Sequence, residues 1–404
     1  MGIAVIRRVE SLKSGLTQLP LTLAPPKWKP FVWTCVLLLG LILAASDISH
    51  APRTRDDSTV AALSNGSILL IGGTGGCFSI GGIRGLCSER TLPTAERFDP
   101  MSGQRTPAGQ MITPRSSFTA TTLRGGRVLV VGGVVQPGEN AFPVTLATVE
   151  LYDPVMSIWT EAAPMRVARE FHTATLLADG RVLVSGGTQS NGRVLADAEI
   201  YDPIANRWQS IEPMHEGRWH HTATLLATGQ VLVAGGDTVH DYHAATAELY
   251  DPVANSWYFA HNMATGRTEH TAIRLPSGEV LITGGLGQDG LLASTERYDP
   301  VADQWVSSGS MSTVRFNHAA TLLLSGQVLV TGGGNGGAIP ALATADLYDP
   351  PTNRWQFLGQ IPTARSGHTT VLLPTGQVVL AGGYARQSSV DIYDPTSRLA
   401  HLPP

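Results

Sequence analysis

The chain has little charge and little cysteine for its length. Of its 404 residues only 15% are charged and three are cysteine, whereas 43% are hydrophobic and 44 are glycine. This composition is too apolar for a disordered protein and too rich in glycine for a helical one, so it favours a turn-dense all-β domain. The formal net charge of −4 provides no basic patch, and we therefore expect no nucleic-acid partner.

The few cysteines limit the possible chemistry. Cys35 lies in an apolar stretch near the N-terminus, while Cys77 and Cys87 flank residues 78–86 in the longest loop of the chain. In an oxidising compartment, two cysteines that close one loop predict a disulfide that restricts the loop. A metal site needs more ligands than this loop supplies, so we predict no metal and no other cofactor.

The first 46 residues predict export. Residues 31–45 are apolar, and the basic residues all precede them, which keeps the N-terminus in the cytoplasm. The stretch is short for a membrane span, and small residues before Asp47 are compatible with cleavage after Ser46. Two localisations follow: a cell-membrane protein with an exported C-terminal domain, or a secreted or periplasmic one. The basic residues are Arg7, Arg8, Lys13, Lys27 and Lys29.

A sevenfold repeat fills the remainder of the chain. In each repeat an apolar run ends in Gly-Gly, and an acidic residue, one further residue, Tyr or Phe, and Asp-Pro follow. A two-residue turn with Gly second precedes each apolar run, which predicts a tight hairpin. Five repeats carry Trp seven residues after the Tyr, on a fourth strand. The Gly-Gly pairs begin at Gly72, Gly132, Gly186, Gly235, Gly284, Gly332 and Gly382.

These motifs resemble the kelch repeat family over roughly residues 55–404, with a period near fifty residues. The resemblance implies an all-β fold: a seven-bladed kelch-type β-propeller of four-stranded antiparallel blades. We assign residues 1–30 to a basic cytoplasmic segment, 31–46 to a transmembrane anchor or signal sequence, and 47–404 to the propeller. Residues 397–402 are predicted to form the last outer strand, although residues 47–52 could compete for that position.

An arginine precedes the first strand of every repeat, and a histidine follows three residues later in five of them. A ring of free arginines could bind a carboxylate or sulfate. However, each repeat also has one acid before its Tyr or Phe, so we favour buried ion pairs that hold the strands in register.

The b–c face is the predicted binding surface. It comprises the loops after Gly-Gly and the links that lead into each next blade, and these segments vary between repeats, whereas the Asp-Pro turns on the other face are nearly constant. Residues between the arginine and the histidine are not fixed by the repeat, and one loop carries two histidines. The candidate ligand-binding residues are Arg169, Glu170, Arg218, Trp219, His220, His240, Asp241, Tyr242, His243, Arg267, Glu269, Arg315, Phe316 and Asn317.

Fold resemblance leaves the function open, because kelch propellers include partner-binding modules, the galactose oxidase central domain and a sialic acid epimerase. We favour a non-catalytic module that binds a glycan or protein partner on the b–c face. The alternative is a carbohydrate-active epimerase, lyase or oxidase with its site on the same face. A copper radical oxidase is disfavoured, because Cys77 has Cys87 as a partner and no Tyr-His pair lies opposite it.

Overall fold

The computed structural model describes residues 55–56, 58–75, 77–80, 83–87, 90–137, 141–336, 341–383 and 390–399. For residues 55–56, 75, 77–80, 83–87 and 398–399 it describes the backbone alone. The predicted N-terminal segments, Cys35, the cleavage position after Ser46 and the competing strand at 47–52 lie outside these ranges. Within the ranges, no helix has the length and apolar character needed to cross a bilayer.

The strands of the first three repeats follow the predicted order. The first contains β1 (Arg55–Asp56), β2 (Thr59–Ala62), β3 (Ile68–Ile71), β4 (Thr74–Gly75), β5 (Cys77–Ile80), β6 (Ile83–Cys87), β7 (Thr94–Phe98) and β8 (Arg105–Gln110). The second contains β9 (Thr119–Thr122), β10 (Val128–Val131), β11 (Val134–Val135), β12 (Val144–Thr145), β13 (Val149–Asp153) and β14 (Ile158–Ala162). The third contains β15 (Thr173–Leu176), β16 (Val182–Ser185), β17 (Ala198–Asp202) and β18 (Arg207–Ser210).

The last four repeats continue the pattern. The fourth contains β19 (Arg218–Trp219), β20 (Thr222–Leu225), β21 (Val231–Ala234), β22 (Asp237–Thr238), β23 (Ala247–Asp251) and β24 (Ser256–Ala260). The fifth contains β25 (Thr271–Arg274), β26 (Val280–Thr283), β27 (Leu286–Gly287), β28 (Gly290–Leu291), β29 (Ser294–Asp299) and β30 (Gln304–Ser310). The sixth contains β31 (Ala319–Leu322), β32 (Val328–Thr331), β33 (Thr344–Asp349) and β34 (Arg354–Gln360), and the seventh β35 (Thr369–Leu372), β36 (Val378–Ala381), β37 (Val390–Tyr393) and helix α1 (Pro395–Leu399).

Each repeat folds into one antiparallel blade, so the predicted seven-bladed all-β propeller is confirmed. Six blades are four-stranded meanders, named a to d from the inside outward, with β15-β16-β17-β18 as the pattern for blade three. The a strands of neighbouring blades contact one another around the ring, and β35 of blade seven contacts β2 of blade one. The ring is therefore closed by packing between the first and last blades.

The b strands are buried along their whole length because both sheet faces pack against another blade. In β10, Val128 and Val130 face blade one, whereas Leu129 and Val131 face blade three. A continuous apolar run, rather than an alternating one, is the sequence signature of a strand covered on both faces. The hydrophobic core is divided into seven clusters, one at each junction between neighbouring blades.

The repeat tryptophans fasten the outer strands across these junctions. Trp208 packs on Tyr201 of its own blade with ring centroids 5.0 Å apart, and its Nε1 donates to the carbonyl of Ala163 in the preceding blade, at 2.7 Å. Trp159, Trp257, Trp305 and Trp355 repeat both contacts. The spacing of seven residues thus places the Trp directly opposite the Tyr on paired c and d strands.

Blade seven departs from the prediction. Residues 395–399 form a short helix, so the outer strand expected at 397–402 is wrong over its described part. Asp394 caps this helix just as Asp202 caps the corresponding turn of blade three, but there Asn206, with a left-handed backbone, leads into the d strand, whereas blade seven has Arg398 at that position. This repeat also has Ala400 in place of the Trp that anchors other d strands.

Candidate functional site

Six of the seven repeat arginines are buried side chains rather than surface charges. Each is 0% exposed, and its guanidinium donates to the acid that precedes Tyr in the same blade. The N–O distances in the first five pairs are 2.6–3.1 Å. The preference for buried ion pairs is therefore confirmed for Arg115–Glu150, Arg169–Glu199, Arg218–Glu248, Arg267–Glu296, Arg315–Asp346 and Arg365–Asp391.

Arg218 shows how this position joins two blades. Its Nη1 donates to the carbonyl of Gly235 at 2.9 Å and its Nη2 to Glu248 at 3.1 Å, both in its own blade. Its backbone carbonyl accepts the N–H of Gly187 in the preceding blade at 2.8 Å. Burial lowers the pKa of the guanidinium, and Glu248 opposes that shift. The charge is balanced inside the fold, so the guanidinium is not presented to a ligand.

The repeat histidines also belong to the framework. All five are buried, and each Nε2 lies within 3.0 Å of a threonine Oγ1 in the preceding blade. Burial, together with the charge of a neighbouring repeat arginine, lowers the pKa of His172, His270 and His368 to about 3. These rings are consequently neutral at pH 7. The five residues are His172, His221, His270, His318 and His368.

In six blades, the second residue after the repeat arginine has a left-handed backbone. We call these six positions the mouth ring, since they begin the innermost strands and are linked by hydrogen bonds around the channel. From Phe171 to Gly367, each N–H donates to the carbonyl of the corresponding residue in the preceding blade, at 2.7–3.4 Å, so five hydrogen bonds join the six positions. Their φ angles are 48–65° although only one is glycine. The mouth ring comprises Ser117, Phe171, His220, Glu269, Asn317 and Gly367.

Three aromatic rings of blades three and four pack together at the mouth ring. Trp219 lies 4.1 Å from His220 and 5.6 Å from Phe171, centroid to centroid, and Phe171 meets His220 edge-on at 4.5 Å. All three are only partly buried. A fixed left-handed backbone holds Phe171 and His220, so this aromatic cluster is rigid and presents ring surface to the channel mouth.

Carboxylates surround the aromatic cluster. The Nδ1 of His220 lies 3.6 Å from Asp237 Oδ2 and 3.7 Å from Glu269 Oε1. Glu170, which is 9% exposed, interacts electrostatically with the same histidine. Burial raises the pKa of Glu170 to about 7 and also raises that of Glu269. Four of the predicted residues, Glu170, Trp219, His220 and Glu269, are thus brought together.

The loop with two histidines is divided between the surface and this cluster. His243 turns inward, and its ring Nδ1 lies 3.5 Å from Asp237 Oδ1. Its backbone N–H donates to the same oxygen at 3.1 Å. His240 and Asp241 are exposed, and Tyr242 is 74% exposed. The backbone N–H groups of His240 and Asp241 donate to Thr238 Oγ1, which fixes the turn. The loop therefore adds one residue to the cluster and an exposed tip beside it.

Phe316 and Asn317 extend the surface into blade six. The Phe316 ring occupies the space above Gly334, where a Cβ atom would come within 2.6 Å of ring carbons. Asn317 Nδ2 donates to Glu269 Oε2 at 2.9 Å. Among the predicted residues, the buried Arg169, Arg218, Arg267 and Arg315 are behind this surface and support it.

Two residues of the site were not among the predicted ones. Asp237 accepts hydrogen bonds from Thr268 Oγ1 and His243 N and faces His220, and Phe171 completes the aromatic cluster. Asp237 is the only acid that directly follows a Gly-Gly pair. The sequence therefore distinguishes this acid from the other residues that follow Gly-Gly pairs. In the structure β19 pairs with β22, which places Asp237 opposite Trp219 and so within the site.

Metal and disulfide chemistry can be assessed in part. Within the described ranges, no group of three or more His, Cys, Asp or Glu side chains is arranged to hold a metal ion. Cys77 and Cys87 lie directly opposite each other on the antiparallel β5–β6 pair. The described side chains include no disulfide, and the side chains of these two cysteines are outside them. Their disulfide stays a prediction.

The repeated sheets, Gly-Gly turns and buried ion pairs define a seven-bladed β-propeller with one repeat per blade. The sequence model of the KLHDC2/KLHL20/DRC7 kelch-repeats domain matches residues 172–383, which is more than half of the chain, and the kelch motif matches residues 114–166. The chain belongs to the kelch-repeat family.

Two curated relatives and one solved structure are similar to parts of this chain. Beta-scruin from Limulus polyphemus is 30% identical over 139 residues, 34% of this chain and 13% of that protein. Alpha-scruin from the same animal is 31% identical over 98 residues, 24% and 10% respectively. The chain thus matches only about a tenth of the length of these relatives. A fungal alcohol oxidase of the AA5 family, solved with copper, superposes with a TM-score of 0.65 over 82% of this chain and 71% of its own, at 18% identity. That likeness concerns the fold.

Proposed function

We propose that this propeller is a binding module that recognises a partner protein through the mouth ring of blades three to six. The observation that carries the proposal is one constant backbone with different side chains. Six positions share the same left-handed conformation and are joined by five hydrogen bonds, yet they carry Ser, Phe, His, Glu, Asn and Gly. A rigid frame that holds varied, partly exposed side chains is what a specific binding surface requires.

Aromatic residues give this surface its capacity for binding energy. Trp219, Phe171 and Phe316 are partly exposed beside hydrogen-bonding groups of Glu269 and Asn317. Partly buried aromatic anchors next to polar groups are typical of the residues that dominate protein interfaces. The exposed loop tip at Tyr242 lies on blade four, as Trp219 does, and extends the surface outward.

The first experiment measures binding by the full-length protein to a random-peptide phage library and to a glycan array. We expect peptide binders whose affinity falls at least about tenfold, or about 1.4 kcal/mol, when Trp219→Ala and Phe316→Ala are combined. The melting temperature should stay nearly unchanged. The matched control is Phe259→Ala with Phe357→Ala, which removes two exposed aromatic rings from outer d strands. Peptides whose affinity is unchanged by the combined Trp219→Ala and Phe316→Ala substitutions but reduced by the control substitutions would contradict the proposal.

A second candidate is a carbohydrate-active enzyme with the same face as its site. The pKa of Glu170 near 7 favours this candidate, because a carboxyl that titrates near neutrality can act as a general acid or base. The two functions differ in their response to Glu170→Gln. An enzyme would lose turnover of a glycan identified on the array while still binding it, whereas a module has no turnover to lose.

Export is proposed together with either function. It is supported by the apolar residues 31–45 and the basic residues before them. Intact-mass measurement of membrane and soluble fractions tests it. A mature chain that begins at Asp47 indicates a secreted or periplasmic protein, a full-length membrane-bound chain indicates an anchor, and a full-length cytoplasmic chain contradicts export.

A further inference from the structure

The surface charge at the mouth has the opposite sign to that suggested by the arginine repeats. The six described repeat arginines are buried and paired, so the charged groups left near the aromatic cluster are mainly acids. Glu170, Asp237 and Glu269 supply three carboxylates, and His220 and His243 supply at most two positive charges. With the three carboxylates ionised, the cluster therefore carries a net charge between −1 and −3.

Glu170 is the group that points most directly to a ligand. Its side chain is 9% exposed and its carboxyl forms no hydrogen bond with any residue in the described ranges. Its carboxyl oxygens are not among the fully buried side-chain atoms that lack a partner, so they remain accessible to a donor from outside the chain. The carboxyl also interacts electrostatically with His220 of the aromatic cluster. A donor from a bound partner would satisfy it.

The aromatic cluster favours the same kind of ligand. The faces of Trp219 and Phe171 attract cations through the negative potential of their π systems, and desolvation strengthens that attraction. The whole propeller also has an excess of acid. Residues 47–404 contain 31 Asp and Glu, 23 Arg and no lysine, a formal net charge of −8. A positively charged partner is therefore attracted at long range as well as at the site.

From this geometry we infer that the mouth of blades three to five binds a cationic group, the guanidinium or ammonium of a basic residue in a partner peptide, between the aromatic cluster and the carboxylates of Glu170, Asp237 and Glu269. The inference rests on the proposed function, because it names the chemistry of the ligand at the same surface. A planar guanidinium suits both contacts, since it stacks on an aromatic ring and donates to a carboxylate in two directions.

The test sequences the peptides that the full-length protein selects from the random phage library. The inference expects enrichment of Arg or Lys among binders that depend on Trp219. One enriched peptide is then synthesised, and its Kd should rise at least about tenfold with Glu170→Gln and with Glu269→Gln. The matched control Glu161→Gln changes an exposed acid on the outer strand of blade two and should leave Kd unchanged. Binding should also weaken as salt rises from about 50 to about 500 mM.

Other outcomes separate the inference from the function on which it rests. Acidic or uncharged peptides that still require Trp219 would overturn the cation site and leave the binding module standing. Peptides whose affinity is unchanged by Glu170→Gln and Glu269→Gln would do the same. Glycans that bind in a Trp219-dependent way, with no peptide binders, would overturn both the cation site and the protein partner. The absence of any binder that depends on Trp219 or Phe316 would also overturn both.

Discussion

Two neighbouring positions in each repeat follow opposite rules. The arginine position has the same residue in every repeat, and its described side chains are buried with balanced charge. Two residues later, the mouth ring has the same backbone but a different side chain in every described blade. Repetition therefore marks the framework, even where the repeated residue is charged, and variation on a fixed backbone marks the surface available for binding. The predictions below break or sharpen this comparison, from the largest expected effect on stability to the smallest.

Removing one framework arginine should have the largest effect. Arg218→Met removes the guanidinium from the buried carboxylate of Glu248, which keeps the exposed His215 as its other side-chain partner, so we expect the free energy of unfolding to fall by about 3–5 kcal/mol. The double variant with Glu248→Leu should recover part of the loss, because no uncompensated charge is left. Denaturant unfolding measures both. Arg193→Ala, which breaks an exposed pair with Asp197, is the control and should change stability by less than about 1 kcal/mol.

Reduction of the predicted Cys77–Cys87 disulfide should have a smaller effect. The bond would close a loop of about ten residues in an insertion on the b–c face, so its contribution through the unfolded chain is at most about 2–3 kcal/mol. We expect reduction to leave the ring folded. Thiol counting on exported, denatured and unreduced protein tests the bond directly, and two reactive thiols at these positions would rule it out.

Acid should destabilise the framework through its histidines. The pKa of His270 is about 3 in the folded chain because of burial, against an ordinary value near 6.5. Between these values only the unfolded chain binds the proton. Stability is therefore fully present above about pH 6.5 and falls as the pH drops, by up to about 1.4 kcal/mol per pH unit for each such histidine.

His270→Phe isolates one of these contributions, since blade two already carries Phe118 at the same position. Between about pH 6 and pH 4, the free energy of unfolding should fall less steeply with decreasing pH in the variant than in the parent. The two slopes should differ by about 1.4 kcal/mol per pH unit. Denaturant midpoints across this range give the two slopes. Parallel curves would mean that His270 does not stay neutral in the folded protein.

A mouth-ring substitution should change stability least and binding most. Glu269→Gly introduces the residue found at Gly367 of blade seven, and glycine adopts a φ near 53° without strain. We therefore expect a stability change within about 1 kcal/mol, together with a loss of peptide affinity. A large stability loss in thermal or denaturant unfolding would place Glu269 in the framework and erase the difference between the two positions.

The sequence predicted the framework well because its contacts repeat. The Arg and the acid before Tyr occur in every repeat, so their pairing could be inferred by counting, and Trp at seven residues from Tyr fixed the paired c and d strands. The outer strand of blade seven was wrong because Arg398 stands where the other blades have a residue with a left-handed backbone that leads into the d strand.

The binding surface could be predicted only in part, because its contacts join different blades. His220 meets Phe171 and Glu269, the corresponding residues of the two neighbouring blades, and the repeat brings these positions together without specifying how their side chains contact one another. Asp237 was missed because the candidates from its loop were limited to residues 240–243. The left-handed backbone of the mouth ring was also unexpected, since Phe and Glu rarely adopt it.

The seven core clusters lie between blades, and this arrangement has a consequence for how the molecule comes apart. No blade encloses a core of its own, so none can fold without its neighbours on both sides. A linear array of repeats loses its terminal units first, whereas a closed ring has no terminal unit to lose. Opening one junction converts the ring into an array with two free ends, and every later step is easier than the first. The weakest junction between blades therefore sets the lifetime of the folded ring. We expect this junction to be the one between blades seven and one, because blade seven has no fourth strand among the described residues.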